Sequence, residues 1–161
     1  LDNYINIEAY ERDMILDDLA RDAGLFPLIN QLQKMDVVII GPRPLRRLHF
    51  LNRKHFVQIS SPNLHLEFKQ DRKRLSGIDW AVEDALEYGK PAVYLVSAGV
   101  SAAVIIDRLH DEIPDSFFID CGSIWDAFVG IGEQREWRAN LYDNPIALAE
   151  WEGRNLYGSN D

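Results

Sequence analysis

The chain has 161 residues and a mass of 18.5 kDa, which is typical of one globular domain. Its hydrophobic content of 47% is enough to build a core and argues against a disordered chain. A single cysteine, Cys121, excludes an internal disulfide and a zinc site made of several cysteines. The longest apolar run, residues 92–101, is too short to cross a bilayer, so we expect no membrane span. The single cysteine is compatible with a reducing cytoplasm, which is the location that we expect.

Charge is distributed unevenly along the chain. The formal net charge is −9, yet residues 41–75 carry nine basic and two acidic side chains, a local charge of +7. A positive segment in an acidic protein favours an anionic ligand such as a phosphate, a nucleotide or a nucleic-acid backbone. The alternative is that these side chains form the solvated face of a helix and its loop. Nucleic acid bound through residues 43–74 is therefore one of two interpretations.

Periodicity and turn residues predict the elements in chain order. Helical spacing predicts helices over residues 7–23 and 26–34, the first of which ends at Gly24. Four consecutive β-branched residues predict a buried strand over 36–41 that ends in Gly-Pro. The remaining predictions are a short helix over 42–48, a strand over 55–60, helices over 64–74 and 77–88, a strand over 92–97, a helix over 100–111, a strand over 117–120 and a helical stretch over 123–129.

Strands that alternate with helical stretches predict an α/β fold. We expect a Rossmann-like, open, mainly parallel sheet with helices on both faces and a loop-rich C-terminal tail. The expected layout is an N-terminal helical segment at residues 1–35, an α/β core at 36–130 and the tail at 131–161, all in one domain. Ligands of such folds lie outside the carboxyl ends of the strands.

The loops that follow the four predicted strands are small, hydroxyl-bearing and rich in glycine. Such loops let a ligand approach the backbone, and helix N-termini there offer N–H donors to phosphate. The glycine patterns of dinucleotide folds and P-loops and the nucleophile elbow of hydrolases are absent. We call these loops, residues 41–43, 60–63, 97–101 and 120–123, the rim. The expected nucleotide-binding residues are Gly41, Pro42, Arg43, Ser61, Asn63, Ser97, Ala98, Gly99, Gly122 and Ser123.

Two carboxylates near the rim are candidates for catalysis. Asp120 ends the fourth strand, where a carboxylate can accept a hydrogen bond from a sugar hydroxyl or act as a base. Asp126 is the second candidate, and we expect it one turn into the following helix. The alternatives stay open: Asp120 caps the next helix, and Asp126 is a solvated helix position. Cys121 is expected to be a buried thiol, and none of the four histidines forms a metal signature.

Four short segments together resemble the GT-D type of glycosyltransferase domain, a bacterial and phage family with a Rossmann-like sheet. The segments are D-V-V-I-I-G-P at 36–42, Q-I-S-S-P-N at 58–63, V-Y-L-V-S-A-G at 93–99 and F-I-D-C-G-S at 118–123. The resemblance implies transfer of a sugar from a nucleotide-activated donor, held by the rim, to an acceptor. The basic segment would suit a nucleic acid or another polyanion as acceptor, and Arg43, Arg46 or Arg47 is expected to reach the diphosphate.

The family also implies a divalent metal, Mn²⁺ or Mg²⁺, bound by an Asp-x-Glu motif upstream of the first matched strand. This chain has no such motif there, and its acidic residues at 8–22 have the spacing of a solvated helix face. Because the chain lacks an initiator Met, we expect it to be a piece of a longer polypeptide. Three alternatives stay open: the motif lies upstream, a second copy or an upstream domain supplies it, or this copy does not catalyse. In the last case the domain is a non-catalytic nucleotide-binding or assembly module.

Overall fold

The structure is a computed structural model that describes residues 24–60 and 77–129. Its elements are α1 (Leu25–Leu32), β1 (Val37–Pro42), a 3₁₀ turn (Arg43–Arg47), β2 (Arg53–Ile59), α2 (Gly77–Tyr88), β3 (Val93–Val96), a 3₁₀ turn (Gly99–Ser101), α3 (Ala102–Glu112), β4 (Phe117–Asp120) and a 3₁₀ turn (Asp126–Val129). The helices predicted over 7–23 and 64–74 and the predicted tail at 131–161 lie outside the described residues. Within the described ranges, no helix is long and apolar enough to cross a bilayer.

The four strands form one sheet in which every neighbouring pair is parallel, in the order β2-β1-β3-β4. The central strand β1 pairs with β2 on one side and with β3 on the other, so that Ile40 lies opposite both Val57 and Val96. Consecutive parallel strands need a crossover connection, and α2 and α3 lie in the connections from β2 to β3 and from β3 to β4. This arrangement confirms the predicted Rossmann-like α/β sheet.

Side chains of the central strands alternate between two cores, one on each face of the sheet. Ile39 and Leu95 belong to the core formed with α1 and the 3₁₀ turns at Arg43–Arg47 and Asp126–Val129, whereas Ile40 and Val96 pack with α2 and α3. Because both faces are covered, β1 has no polar face. This explains why its first four residues are all β-branched and fully buried. Helix α1 shares the first core, so it packs with the sheet as part of the same body.

The strands that follow β1 along the chain are added first on one side of it and then on the other, so the strand order reverses between β1 and β3. From β1 the chain moves to β2 at one edge, crosses back to β3, and then moves on to β4 at the other edge. The first crossover packs on the α1 face, and the later two pack on the face of α2 and α3, so all three have the same hand. The carboxyl ends of β1 and β3 are therefore the topological switch point, where such sheets open a ligand crevice.

The predicted boundaries agree with the observed ones to within two residues for every strand and α-helix described. The stretches at 42–48 and 123–129 differ in kind, because they form 3₁₀ turns instead of longer helices. In the second stretch the amides of Ile124, Asp126 and Phe128 each bond to the carbonyl three residues earlier, the pattern of a 3₁₀ turn. The placement of Asp126 one turn into a helix was therefore wrong, since it begins the 3₁₀ turn.

Truncation of Val38 tests whether β1 is the buried central strand. Val38 is fully buried. Its change to Ala should lower the free energy of unfolding by about 2 kcal/mol through lost burial and the cavity left behind. Val104→Ala makes the same chemical change at an exposed position of α3 and should alter the free energy of unfolding by less than about 0.5 kcal/mol. Urea unfolding measures both, and equal effects would contradict this placement of β1.

Candidate functional site

The carboxyl ends of all four strands lie along one edge of the sheet. The register places Ile40, Val96 and Asp120 side by side and sets Pro42 beside Ile59. The loops that leave these ends share the edge, so the structure brings together the described part of the rim. The remaining two predicted binding residues, Ser61 and Asn63, lie outside the described residues.

Gly41 and Ser97 lie close together at the switch point. The amide of Ser97 donates to the carbonyl of Ile40 at 2.8 Å, which continues the β1–β3 ladder one residue past β3. A Cβ on Gly41 would lie 3.4 Å from the Cβ of Ser97 and 2.6 Å from Cδ1 of Leu45. Gly41 is buried, so its missing side chain serves to let Ser97 and Leu45 pack against the end of β1.

Two serine hydroxyls between β3 and α3 are buried without a hydrogen-bond partner among the described residues. Ser97 is 8% exposed and follows β3 directly, and Ser101 is 1% exposed and precedes the first residue of α3. A buried polar group left unpaired costs about 1–3 kcal/mol. Two such hydroxyls at one strand end are therefore a feature that a ligand or an ordered water would explain.

The backbone between these serines forms a tight turn that leads into α3. Gly99 has a φ of +54°, a left-handed conformation that glycine adopts without steric cost. The amide of Ser101 donates to the carbonyl of Ala98 at 3.2 Å and closes the turn. No described side chain caps the N-terminus of α3. The amide of its first residue, Ala102, donates to the carbonyl of Gly99, and the start of the helix carries a partial positive charge that suits an anion.

Asp120 lies on the rim with an exposed side chain. Its Oδ1 accepts a hydrogen bond from the amide of Gly122 at 3.0 Å, and Gly122 has a φ of +48°. This bond holds the turn after β4, which is the structural role that we set against a catalytic one. Within the described part of the chain, Oδ2 has no hydrogen-bond partner. The local turn thus uses one carboxylate oxygen and leaves the other for a ligand.

The arginines that follow β1 divide between the rim and the α1 face of the sheet. The guanidinium carbon of Arg46 lies 4.9 Å from the ring centre of Phe56, and Arg47 donates to the carbonyl of Val129 at 3.3 Å. Both contacts belong to the α1 side, where Phe56 and Val129 pack. Arg43 is exposed and directly follows the end of β1. Of these three arginines, Arg43 is therefore the one placed at the rim.

Cys121 is a buried thiol, as predicted. Its side chain is in the core with 3% exposure, and its amide donates to the carbonyl of Val96 at 2.8 Å. Burial raises the pKa of the thiol to about 12. The indole N–H of Trp125 approaches the sulfur and opposes this shift in pKa, although it lies outside strict hydrogen-bond geometry. The thiol is consequently neutral at physiological pH and unsuited to nucleophilic chemistry.

A second cluster of titratable side chains lies between β2 and α2. His55 Nε2 is 3.0 Å from Asp84 Oδ1, and the ligand atoms of His55, Asp84 and Glu87 all lie within 4.8 Å of one another. The sequence analysis missed this cluster because it joins a strand residue to helix residues about 30 positions further on. The available signal was the spacing of Asp84 and Glu87, which puts both on one side of a helix.

Comparison of the chain with protein-family models, with curated proteins and with solved structures finds no significant match in any of the three.

Alkylation of Cys121 reports on the packing behind the rim, because this is the chain's single cysteine. At pH 8 the folded protein should react with iodoacetamide at least about 100-fold more slowly than the urea-unfolded protein, since only the thiolate reacts. Burial raises the pKa from 9.0 in the unfolded chain to about 12. As the pH rises, the thiol therefore ionises first in the unfolded chain. The contribution of this thiol to the free energy of unfolding is complete below pH 9 and is lost as the pH rises from 9 to 12.

Mass spectrometry of timed samples measures this reaction, with Cys121→Ser as the unlabelled control. A folded-state rate within about threefold of the unfolded rate would contradict the burial of this thiol.

Proposed function

We propose that this domain binds a nucleotide whose phosphate groups lie at the switch point between β1 and β3. The observation that carries the proposal is the pair of buried, unpartnered hydroxyls of Ser97 and Ser101 beside the uncapped N-terminus of α3. Phosphate oxygens would accept hydrogen bonds from both hydroxyls, and the partial positive charge at the start of α3 would attract them. Binding would then satisfy donors that the protein otherwise buries at a cost.

The charge around the switch point supports a ligand with more than one phosphate. Arg43 follows β1 and Ser97 follows β3, and these strands are neighbours about 4.8 Å apart. Arg53 and Lys54 begin β2 at the opposite edge of the sheet, so among residues 41–60 it is Arg43 that brings a cationic side chain to this edge. A diphosphate that touches α3 would therefore extend toward Arg43, which directly follows β1.

The resemblance to GT-D domains extends the proposal to a nucleotide sugar as ligand and glycosyl transfer as reaction. The bond from the anomeric carbon to the diphosphate oxygen breaks, and the acceptor oxygen forms a new bond to that carbon. Arg43 and the positive end of α3 stabilise the leaving diphosphate, which keeps the bonding electron pair. Asp120 Oδ2 takes the proton of the acceptor hydroxyl. A polyanionic acceptor such as nucleic acid would suit the basic residues after β1.

The divalent metal that the family implies does not fit the described part of the rim. No group of three side chains there is placed to hold a cation. Asp120 Oδ2 is unpartnered among the described residues, but one oxygen cannot serve both as metal ligand and as base. The steps above are therefore assigned to this chain's own side chains and amides.

A non-catalytic nucleotide-binding or assembly module is the second candidate function, and the hydrogen bond between Asp120 and Gly122 favours it. That bond gives the carboxylate a structural reason to occupy its position. The two candidates share the nucleotide site and differ in whether Asp120 takes a proton.

Titration calorimetry with UDP, GDP and ADP tests the nucleotide site. Ser97→Ala should weaken the tightest of these complexes about tenfold through the loss of one hydrogen bond. The same change should leave the free energy of unfolding unchanged or raise it, because it removes a buried hydroxyl that lacks a partner among the described residues.

Ser116→Ala is the matched control. Ser116 Oγ accepts a hydrogen bond from the amide of Ala92 at 3.3 Å, away from the rim. Loss of this hydrogen bond in Ser116→Ala should lower the free energy of unfolding by about 1 kcal/mol and leave nucleotide affinity unchanged. The proposed site is refuted if none of the three diphosphates binds, or if Ser97→Ala destabilises the fold without weakening the complex.

Asp120→Asn separates the two candidate functions. The Asn side chain keeps an oxygen that can accept from Gly122, so the turn and the nucleotide affinity should persist. The carboxylate base is lost, so the release of nucleoside diphosphate from a bound nucleotide sugar should slow by about 10²–10⁴-fold. Coupled detection of the released diphosphate measures this rate. A nucleotide sugar that binds without any turnover by the unmodified protein would instead support the binding module.

A further inference from the structure

The cluster formed by His55, Asp84 and Glu87 lies away from the rim. His55 is four residues before the last residue of β2, which puts it about 13 Å from the carboxyl edge. It is two residues before Val57 and four before Ile59, so all three side chains lie on the same face of the sheet. Val57 and Ile59 pack in the core shared with α2. Its imidazole therefore lies on the face that α2 covers, where Asp84 and Glu87 are three residues apart.

The three side chains already have nearly the separations of a metal site. Tetrahedral zinc, with bonds of about 2.0–2.1 Å, keeps its ligand atoms about 3.4 Å apart. His55 Nε2 and Asp84 Oδ1 are 3.0 Å apart, and all three ligand atoms lie within 4.8 Å of one another. Glu87 is exposed, so a change of rotamer suffices to bring its carboxylate closer.

The charges in this cluster are unbalanced. Asp84 and Glu87 are like-charged neighbours, and no Lys or Arg in the described ranges forms a salt bridge with either of them. The side chains of His55 and Asp84 are only 25% and 20% exposed, so water screens this charge incompletely. A divalent cation held by all three side chains would offset the repulsion between the two carboxylates.

We propose that His55, Asp84 and Glu87 bind a divalent transition-metal ion, with Zn²⁺ as the best match. One imidazole nitrogen and two carboxylate oxygens are typical ligands of zinc, whereas Mg²⁺ and Ca²⁺ take oxygen ligands almost alone. Three protein ligands leave a position for water. The ion fastens α2 to the edge strand β2. This site is independent of the nucleotide proposal, because it uses none of the rim residues.

Calorimetric titration of the metal-free full chain with ZnCl₂ tests the proposal. We expect one saturable site per chain, loss of that site in His55→Ala, and at least about tenfold weaker binding in Glu87→Gln. Glu83→Gln is the matched control, because Glu83 is an exposed glutamate of the same helix outside the cluster, and it should bind zinc like the unmodified protein.

Glu87 is exposed, so Glu87→Gln should fold normally and keeps the test valid even if His55→Ala does not fold, which circular dichroism checks. The proposal is overturned if the unmodified chain shows no saturable zinc binding. It is also overturned if Glu87→Gln and a folded His55→Ala bind zinc as tightly as Glu83→Gln, because the ion would then lie elsewhere on the chain.

Discussion

The parallel pairing of β1 with β3 is the constraint on which the rest of the molecule depends. It joins the two strands between which the strand order reverses. Because the strands are parallel and in register, Ile40 and Val96 end side by side, and the ladder continues through the amide of Ser97. The start of α3 and the end of β1 must therefore meet at one point of the sheet edge. An antiparallel pairing of the same two strands would send their loops to opposite ends.

The energetics of this edge contrast with those of the cores beneath it. The cores bury apolar side chains on both faces of the sheet, and Cys121 and Trp125 behind the rim join them. At the edge, the Ser97 and Ser101 hydroxyls are buried without partners among the described residues. Native structures keep few such groups, and a site prepared for a ligand is one setting in which they occur. The stability of the two cores offsets the cost of holding these hydroxyls ready.

Local sequence was sufficient to predict the elements, whereas pairings between distant residues could not be read from it. The β-branched run in β1 indicates a strand buried on both faces, and the structure has one there. Nothing local indicates that Arg46 lies over Phe56, or that His55 meets Asp84, since these contacts depend on how β2 packs. The parallel strand ends were predicted to converge, and they do for every loop described. Which hydroxyls lack partners was not predictable, because this depends on packing details at the switch point.

Mapping the nucleotide directly onto backbone amides tests the central claim, that the switch point between β1 and β3 receives phosphate. In a titration of ¹⁵N-labelled protein with UDP, the account predicts that the largest amide shifts fall on residues 97–103 and on Gly41. These amides line the switch point and the start of α3. Saturating shifts confined to β2 and α2, or spectra that stay unchanged at millimolar UDP, would contradict it.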